Sequence, residues 1–324
     1  MDSVEEELSD MVFVSRQRLI LAAKQHNLDD SRDGRCLFGS SDRILALGSH
    51  RPNPLCPMST PYPAETLLLE GPDAIAFAQA QFSSAVSSLA IDQWQFSAWL
   101  NPQGRVRNLF HLARIADDRL LLLLRGGSAA TMAEALQRFV FRSKLTLTAR
   151  SARTLATGPA LPMHVIRVDN DTLAFGCGTH SVQITDTGNG DDHWQLLQMH
   201  EGWPWLPEQT LNELLPPALS LQRMQAVAID KGCYPGQEIV ARLHYRGGNK
   251  QHLHSVELSQ LENSGKALLR DGREVGVLLD VITTDEGIKA LAVLHDDVVL
   301  HANNGRLNAF DDKLVMHLGT SWPA

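Results

Sequence analysis

The segment DKGCYPGQE, residues 230–238, decides how this chain folds and which chemistry it carries. Cys233 follows a lysine and a glycine, and Gly232 leaves the backbone free to adopt conformations that other residues avoid. The pair Pro235-Gly236 is typical of a turn, since proline fixes one dihedral angle and glycine tolerates the next. The pattern therefore predicts a thiol presented on a tight loop and followed by a regular element.

The cation nearest to this thiol in sequence is Lys231, two residues earlier. An ammonium close to a cysteine favours the thiolate, which is the reactive form of the side chain. Lys231 and Cys233 are therefore the candidate catalytic residues. The alternative is a small buried cysteine in a tight loop, since free cysteine is among the residue types most often buried.

The octapeptide of residues 231–238, followed by Ala241-Arg242 and by RGGNK at 246–250, resembles the signature of the YgfZ family. These proteins are folate-binding relatives of the glycine-cleavage T-protein, GcvT. The resemblance implies a tetrahydrofolate-binding accessory protein for the assembly or repair of iron–sulfur clusters. It also implies an indirect role in tRNA modification, through iron–sulfur partners such as a MiaB-like radical enzyme.

Four shorter segments resemble the same family: LLEGPDA at 68–74, NPQGRV at 101–106, FVFRSKL at 139–145 and EGWP at 201–204. Together they extend the resemblance from Leu67 to the end of the chain. The resemblance implies an α+β, GcvT-like fold, in which ferredoxin-like halves surround a central folate pocket. A small C-terminal β-barrel is expected to follow.

Changes in composition predict three regions along the chain. Residues 1–57 are acidic at first and then rich in Asp, Ser, Arg and Pro, so we expect a poorly ordered or atypical extension, although Val12–Gln25 has the spacing of an amphipathic helix. Residues 58–250 form the predicted folate-binding region. Residues 251–324 contain short strand patterns separated by turns, such as those expected at Gly276 and Gly305, which is typical of a small β-barrel.

Strand and helix signals alternate with short turns after Leu67, which favours a layered α+β architecture. A polar loop is predicted at 186–192. The predicted strands are 66–69, 95–99, 106–115 and 120–124, and the predicted helices are 74–81, 129–140 and 194–200.

Composition limits the partners of the protein. The formal net charge of −8 argues against a broad phosphate-binding surface, although it is compatible with a local basic patch, and no direct nucleic-acid partner is expected. The four cysteines lie far apart without a Cys-x-x-Cys pair, so no metal site is predicted and an iron–sulfur cluster would belong to a partner. No stretch resembles a signal peptide or a membrane span, which predicts a cytoplasmic protein with reduced thiols.

Three tryptophans lie close together in sequence at 194, 203 and 205, and an aromatic plane can stack on a pterin ring. By the resemblance, Trp194 matches a position that contacts folate. Glu201, Lys231 and Arg242 complete the predicted cofactor-binding set. Equally, the tryptophans could fill a core, and the basic run that contains Arg242 could be a solvated surface.

Two positions depart from the family. Anchored on Gly202, His200 stands where the family has its glutamate, and Glu201 follows one step later, which puts carboxylate recognition of the pterin in doubt. The T-protein has an aspartate shortly after the turn at Gly104, whereas this chain has Asn108 there and no carboxylate. We therefore expect an accessory factor rather than an aminomethyltransferase. The alternatives are a folate-dependent aminomethyl or one-carbon transferase, and a cysteine-nucleophile enzyme in which a histidine such as His244 activates the thiol.

Overall fold

The computed structural model describes residues 63–150, 153–169, 172–186, 192–308 and 310–323. The extension at 1–57 with its candidate helix, and most of the polar loop at 186–192, lie outside the described residues. In chain order the elements are β1 (Pro63–Ala64), β2 (Thr66–Glu70), α1 (Ala74–Gln81), β3 (Gln93–Leu100), β4 (Val106–Ala116), β5 (Arg119–Leu124), α2 (Ala129–Gln137), β6 (Thr146–Ala149), β7 (Arg153–Gly158), β8 (Ile166–Asp169), β9 (Thr172–Gly176), β10 (Ser181–Thr185), α3 (His193–His200), α4 (Gln237–Arg246), β11 (Gln251–Leu258), β12 (Ala267–Arg270), β13 (Arg273–Thr284), β14 (Gly287–His295), α5 (Asp296–Val299), β15 (Arg306–Leu307) and β16 (Met316–Trp322).

Antiparallel pairing joins the strands into three sheets. The first has the order β3-β4-β5-β2-β6, the second β1-β7-β10-β9-β8 and the third β12-β13-β14-β11-β16-β15. The predicted mixture of strands and helices is confirmed, and the prediction of a helix at 74–81 matches α1. The ferredoxin-like halves and the closed C-terminal barrel stay predictions.

The leucine run of β5 shows how the first sheet forms two cores. Because successive side chains of a strand point to opposite faces, Leu121 and Leu123 enter one hydrophobic cluster while Leu120 and Leu122 enter another. The second cluster is covered by α1 and α2. The first is shared with Val182 of the second sheet and with residues of the third, so one core joins all three sheets.

One predicted helix end and one predicted turn are wrong. The helix predicted to reach Val140 ends at Gln137, so residues 138–145 form a turn before β6. Gly276 was predicted at a turn but lies inside β13. A side chain there would place a Cβ atom 2.5 Å from the carbonyl oxygen of Val293, so the glycine permits close approach of neighbouring strands.

Candidate functional site

The thiol of Cys233 is exposed on the loop that precedes α4. It lines an open hollow of about 510 Å³, together with Pro102 from the β3–β4 turn and residues 234–239 and 241. The prediction of a presented thiol at this position is therefore confirmed. The sulfur can be reached by a molecule or a protein surface that enters the hollow.

Close backbone packing fixes the shape of this loop. Gly236 has a φ of +78°, and a Cβ atom there would lie 2.6 Å from the carbonyl oxygen of Asn101 and 2.8 Å from the Cα atom of Gly104. The amide of Gln237 donates from Nε2 to the carbonyl oxygens of Ile229 and Lys231, at 3.1 and 3.2 Å. The loop is therefore closed by its own glutamine and held against the β3–β4 turn.

The β3–β4 turn is itself rigid. The side-chain oxygen of Asn101 accepts hydrogen bonds from the backbone N–H groups of Gln103 and Arg105, at 3.0 and 2.9 Å. Two segments that the sequence analysis singled out separately, NPQGRV and the cysteine octapeptide, are thus parts of one structural unit. Since glycine is required on both sides of the contact, each segment constrains the other.

Lys231 is anchored by backbone carbonyl groups of another segment. Its ammonium donates to the backbone carbonyl oxygens of Phe82 and Ser84, the second at 2.7 Å, and lies 5.1 Å from the ring centroid of Tyr234. Burial lowers the pKa of Lys231 to about 8. Its hydrogen bonds within the described chain fasten the loop to the end of α1, and none is made with Cys233.

Trp194 lies in the shared core, fully buried near the start of α3. Its ring centroid is 5.2 Å from that of Trp205, and its backbone N–H donates to the hydroxyl of Thr157 at 2.7 Å. A pterin could stack on Trp194 only if a neighbouring side chain moved.

The other predicted cofactor-binding residues are exposed. Glu201 caps the C-terminal end of α3, where its backbone carbonyl accepts a hydrogen bond from Arg223 at 3.0 Å. Arg242 lies on α4, close in sequence to Cys233. The structure thus groups Lys231, Cys233 and Arg242 on one loop and helix. Trp194 and Glu201 lie at the two ends of α3 and do not line the hollow at the thiol.

A buried polar cluster beside the tryptophans was missed by the sequence analysis. The guanidinium of Arg125 donates to the carbonyl oxygens of Pro204 and Trp203, at 2.9 and 2.6 Å, and to the side-chain oxygen of Gln198 at 2.6 Å. It also lies 4.6 Å from the ring centroid of Trp205. The only signal in the sequence was an arginine placed directly after a run of five leucines.

Asp280 brings a carboxylate to the same place. It follows Leu279 at a register irregularity between β13 and β14, and its Oδ2 accepts a hydrogen bond from the backbone N–H of Trp205 at 2.7 Å. Burial raises the pKa of Asp280 to about 7, and the charge of Arg125 opposes that shift. A β-bulge redirects side chains, which explains why strand alternation did not predict an inward carboxylate here.

A second hollow of about 410 Å³ lies between the first sheet and α2. It is lined by Asn108, which is only 7% exposed and whose side-chain amide makes no hydrogen bond with any described residue. Arg107 lies at its side with the guanidinium carbon 3.9 Å from the ring centroid of Trp99. Sequence resemblance set this segment against the aspartate of the T-protein, and the structure presents the amide of Asn108 there.

His244, considered above as a base for the thiol, and His252 on β11 both have other partners. The Nδ1 atom of His244 lies 3.3 Å from the side-chain amide of Gln222, and that of His252 lies 2.6 Å from a carboxylate oxygen of Asp296. Within the described ranges, no group of three or more His, Cys, Asp or Glu side chains is arranged to hold a metal ion.

Sequence comparison finds relatives of the chain among known proteins. No protein-family model matches the chain. The chain is 27% identical over 243 residues to an uncharacterised protein of Haemophilus influenzae, a match that covers 71% of this chain and 86% of that protein. It is 25% identical over 284 residues to the tRNA-modifying protein YgfZ of Sodalis glossinidius, covering 75% and 85%. It is also 27% identical over 277 residues to YgfZ of Photobacterium profundum, covering 72% and 81%.

Among solved structures, the chain is similar to the aminomethyltransferase T of the glycine cleavage system from Bartonella henselae. The TM-score is 0.57 with 15% sequence identity, and the match covers 79% of this chain and 82% of the other. The GcvT-like fold predicted from the sequence is therefore confirmed at the level of overall architecture. None of the described helices has both the length and the apolar composition needed to cross a membrane.

Proposed function

We propose that this chain, which is similar to the tRNA-modifying proteins YgfZ, is a member of that family and acts as a tetrahydrofolate-binding accessory protein for iron–sulfur cluster assembly or repair. Its effect on tRNA modification would be indirect and would pass through iron–sulfur partners such as a MiaB-like radical enzyme. The observation that carries the proposal is the exposed sulfur of Cys233 in an open hollow, on a loop whose backbone has little freedom.

The anchoring of Lys231 supports a functional thiol. A loop that served only to connect two elements would not require a partly buried ammonium, a glycine at position 236 where no side chain fits, and a hydrogen-bonded glutamine at position 237. Holding a sulfur in one position lowers the entropy lost when it meets a partner. Cys233 would act in redox exchange, one-carbon handling or transient metal contact with a client protein.

Folate would bind beside the tryptophans of the shared core after a neighbouring side chain moves to uncover the ring of Trp194. Trp194 and Trp205 supply aromatic surface, and Asp280 supplies a carboxylate that can accept hydrogen bonds from the amino and ring N–H groups of a pterin. Asp280 thereby offers a carboxylate for recognition of the pterin. That recognition was in doubt because Glu201 lies one residue after the position of the family's glutamate. The basic residues Lys231 and Arg242 lie on the neighbouring loop and helix, where Arg242 is free to meet the glutamate tail of the ligand.

Complementation tests the role of the thiol. In a strain that lacks the protein, Cys233→Ala should fail to restore iron–sulfur enzyme activity, although the purified variant melts like the wild type and binds tetrahydrofolate equally well. Wild-type activity from Cys233→Ala would remove the thiol from the proposed function. Cys233→Ser, which keeps the size of the side chain, separates loss of the sulfur from loss of packing.

Calorimetric titration with tetrahydrofolate tests the binding site. Asp280→Asn keeps the shape of the side chain but removes a charged acceptor, so we expect affinity to fall about tenfold or more. Glu201→Gln makes the same chemical change on the exposed helix end and should leave affinity unchanged. Trp194→Phe should weaken binding as well. Unchanged affinity in both Asp280→Asn and Trp194→Phe would reject this location.

The transferase alternative receives less support. At the position where the T-protein has its aspartate, Asn108 offers an amide that cannot act as a general acid or base at neutral pH. The likeness to an aminomethyltransferase structure concerns the fold alone. Turnover of an aminomethyl or methyl donor with tetrahydrofolate would restore this alternative.

A further inference from the structure

A turn between α2 and β6 exposes an unusual combination of rings and positive charges. Residues 138–144, with the sequence RFVFRSK, are called here the arginine–phenylalanine turn. Phe139 is 47% and Phe141 77% exposed, and Arg138, Arg142 and Lys144 are also exposed. Large apolar side chains usually leave water on folding, so two phenylalanines kept at the surface between cations call for an explanation.

The positive charges of this surface are not neutralised by the protein. None of the four cations Arg107, Arg138, Arg142 and Lys144 forms an ion pair with a described residue, whereas Arg105, Arg119 and Arg153 each do. Burial, and then the charge of Arg138, lower the pKa of Arg107. In a chain with a formal net charge of −8, gathering unpaired cations has an electrostatic cost that an anionic partner would offset.

The turn is fixed before any partner arrives. A carboxylate oxygen of Asp73 accepts a hydrogen bond from the backbone N–H of Lys144 at 2.6 Å. A Cβ atom at Gly71 would lie 2.4 Å from the carbonyl oxygen of Lys144, so the turn packs directly on the start of α1. Val140 points into the second core, which turns its two phenylalanine neighbours outward. A preformed surface loses less entropy on binding than a mobile one.

Guanidinium groups and rings are layered along this surface. Arg107 lies over Trp99, Trp99 meets Phe139 edge to face at 6.3 Å, and the guanidinium carbon of Arg142 lies 5.1 Å from the ring centroid of Phe141. The strip therefore runs from the 410 Å³ hollow at Asn108 out to the arginine–phenylalanine turn. At the inner end of the strip stands the Asn108 amide, nine-tenths buried and without a hydrogen-bond partner in the described chain.

We propose that the arginine–phenylalanine turn and the adjoining hollow bind an unpaired segment of RNA. Bases stack on Phe139 and Phe141, the guanidinium and ammonium groups contact phosphates, and one base enters the hollow, where the Asn108 amide pairs with its edge. Planar rings and guanidinium planes are the surfaces on which unstacked bases bind, and an amide is a common reader of base edges. An acidic peptide would use the cations but has no flat groups for the rings.

The net charge is consistent with this assignment because the surface is local. The expectation of no direct nucleic-acid partner came from composition, which averages over the chain and cannot show where the charges lie. Here three cations lie within seven residues, and the fold adds Arg107 from β4. The site goes beyond the proposed folate and thiol chemistry and does not share its residues.

The test is fluorescence anisotropy with the full-length protein and a labelled single-stranded RNA of about twelve mixed nucleotides, at physiological ionic strength. The double variant Phe141→Ala/Arg142→Ala removes one exposed ring and one guanidinium. The matched control Tyr245→Ala/Arg246→Ala removes one exposed aromatic ring and one guanidinium from α4, where Tyr245 is 76% exposed. We expect the first variant to bind about tenfold more weakly or worse and the control to bind like the wild type.

Two further measurements identify the chemistry. Asn108→Leu keeps the size of the side chain but removes the amide, and it should weaken binding of single-stranded RNA while leaving the melting temperature within a few degrees. The same RNA annealed to its complement hides its bases and should bind weakly, without dependence on Phe141. Failure of the wild type to bind, or equal losses in the two double variants, would overturn the proposal. Displacement of the RNA by poly-glutamate at equal charge would overturn it in favour of an acidic protein partner.

Discussion

At the scale of single residues, the two described cysteines differ in what surrounds the sulfur. Cys177 is buried, and burial raises the pKa of its thiol to about 12, although the charge of Arg125 opposes the shift. Cys233 is exposed in an open hollow. The buried thiol is thus both protonated and inaccessible, so only the exposed one is available for exchange chemistry.

This contrast predicts selective alkylation. Brief treatment of the folded protein with iodoacetamide near pH 8 should modify Cys233 and leave Cys177 unmodified, because the reagent needs an accessible thiolate. Peptide mass spectrometry reads each cysteine separately, and the same treatment in denaturant, where both thiols are exposed, is the control. Modification of Cys177 at the rate of Cys233 in the folded protein would contradict the burial described here.

Asp280 predicts how stability depends on pH. Its pKa of about 7 in the folded protein lies above the value of about 3.9 for an unfolded chain. Between these pH values the folded protein holds the additional proton, so the free energy of unfolding should fall as the pH rises from about 4 to 7 and then level off. One pKa unit corresponds to about 1.4 kcal/mol, so the change is on the order of a few kcal/mol.

The variant Asp280→Asn isolates this contribution. It removes the titration but keeps an oxygen that can accept from the N–H of Trp205. Urea unfolding should show nearly equal stabilities for the two proteins near pH 4 and a more stable variant near pH 8. If both proteins lost stability in parallel across this range, the carboxylate would not be the group responsible.

At the scale of elements, two glycines of the cysteine octapeptide play different parts. Gly236 is the N-cap residue of α4, has a positive φ and lies in contact with the β3–β4 turn, whereas a Cβ atom at Gly232 would meet nothing within 4 Å. Gly236→Ala should therefore lower the free energy of unfolding by about 2 kcal/mol or more, from backbone strain and steric conflict together.

Gly232→Ala is the matched control for that loss. It adds the same methyl group to the same loop, into open space, and should change stability by less than about 0.5 kcal/mol. Urea midpoints for the two variants give the comparison directly. Equal costs at the two positions would show that the contact between the loop and the β3–β4 turn does not hold the loop.

The same loop shows what sequence can and cannot predict. The octapeptide predicted an exposed thiol because turn residues and glycine act locally, and local patterns also located α1 and the strands of the first sheet. The packing of Gly236 on Gly104 could not be predicted, since 131 residues separate them and no periodicity links them. The hydrogen-bond partners of Lys231 could not be predicted for the same reason, since Phe82 and Ser84 come from the segment that follows α1.

The polar cluster of the core gives the second example. The cluster combines three distant segments: Arg125 directly follows β5, Gln198 lies on α3 and Asp280 lies on β13. Each of these residues alone is ordinary in its segment. Only the fold brings their charges and amides together beside Trp205. Trp194, in contrast, was correctly noted as a possible core residue, because large aromatic side chains beside prolines usually pack inside.

At the scale of the whole molecule, the third sheet shares the main core of the protein. Leu253, Val293 and Trp322 belong to the same hydrophobic cluster as Trp194 and Val182. The other face of the third sheet forms a separate cluster of its own. The sequence predicted an independent domain at 251–324, whereas shared burial leads us to expect that this region and the other two sheets unfold together.

Trp322 tests that expectation, because it is the last buried side chain of β16 and contacts the end of α3. It is 8% exposed, its carbonyl oxygen accepts a hydrogen bond from Ser220 at 3.3 Å, and a Cβ atom at Gly202 would lie 2.4 Å from its ring. Trp322→Ala should cost about 3–5 kcal/mol, as is typical for a buried aromatic side chain. Thr320→Ala, an exposed change on the same strand, should lower the free energy of unfolding only slightly.

In scanning calorimetry we expect a single transition in each protein, with the whole transition of Trp322→Ala shifted to lower temperature. A separate early transition in that variant, with the main one unshifted, would instead show that residues 251–324 form a domain that unfolds on its own.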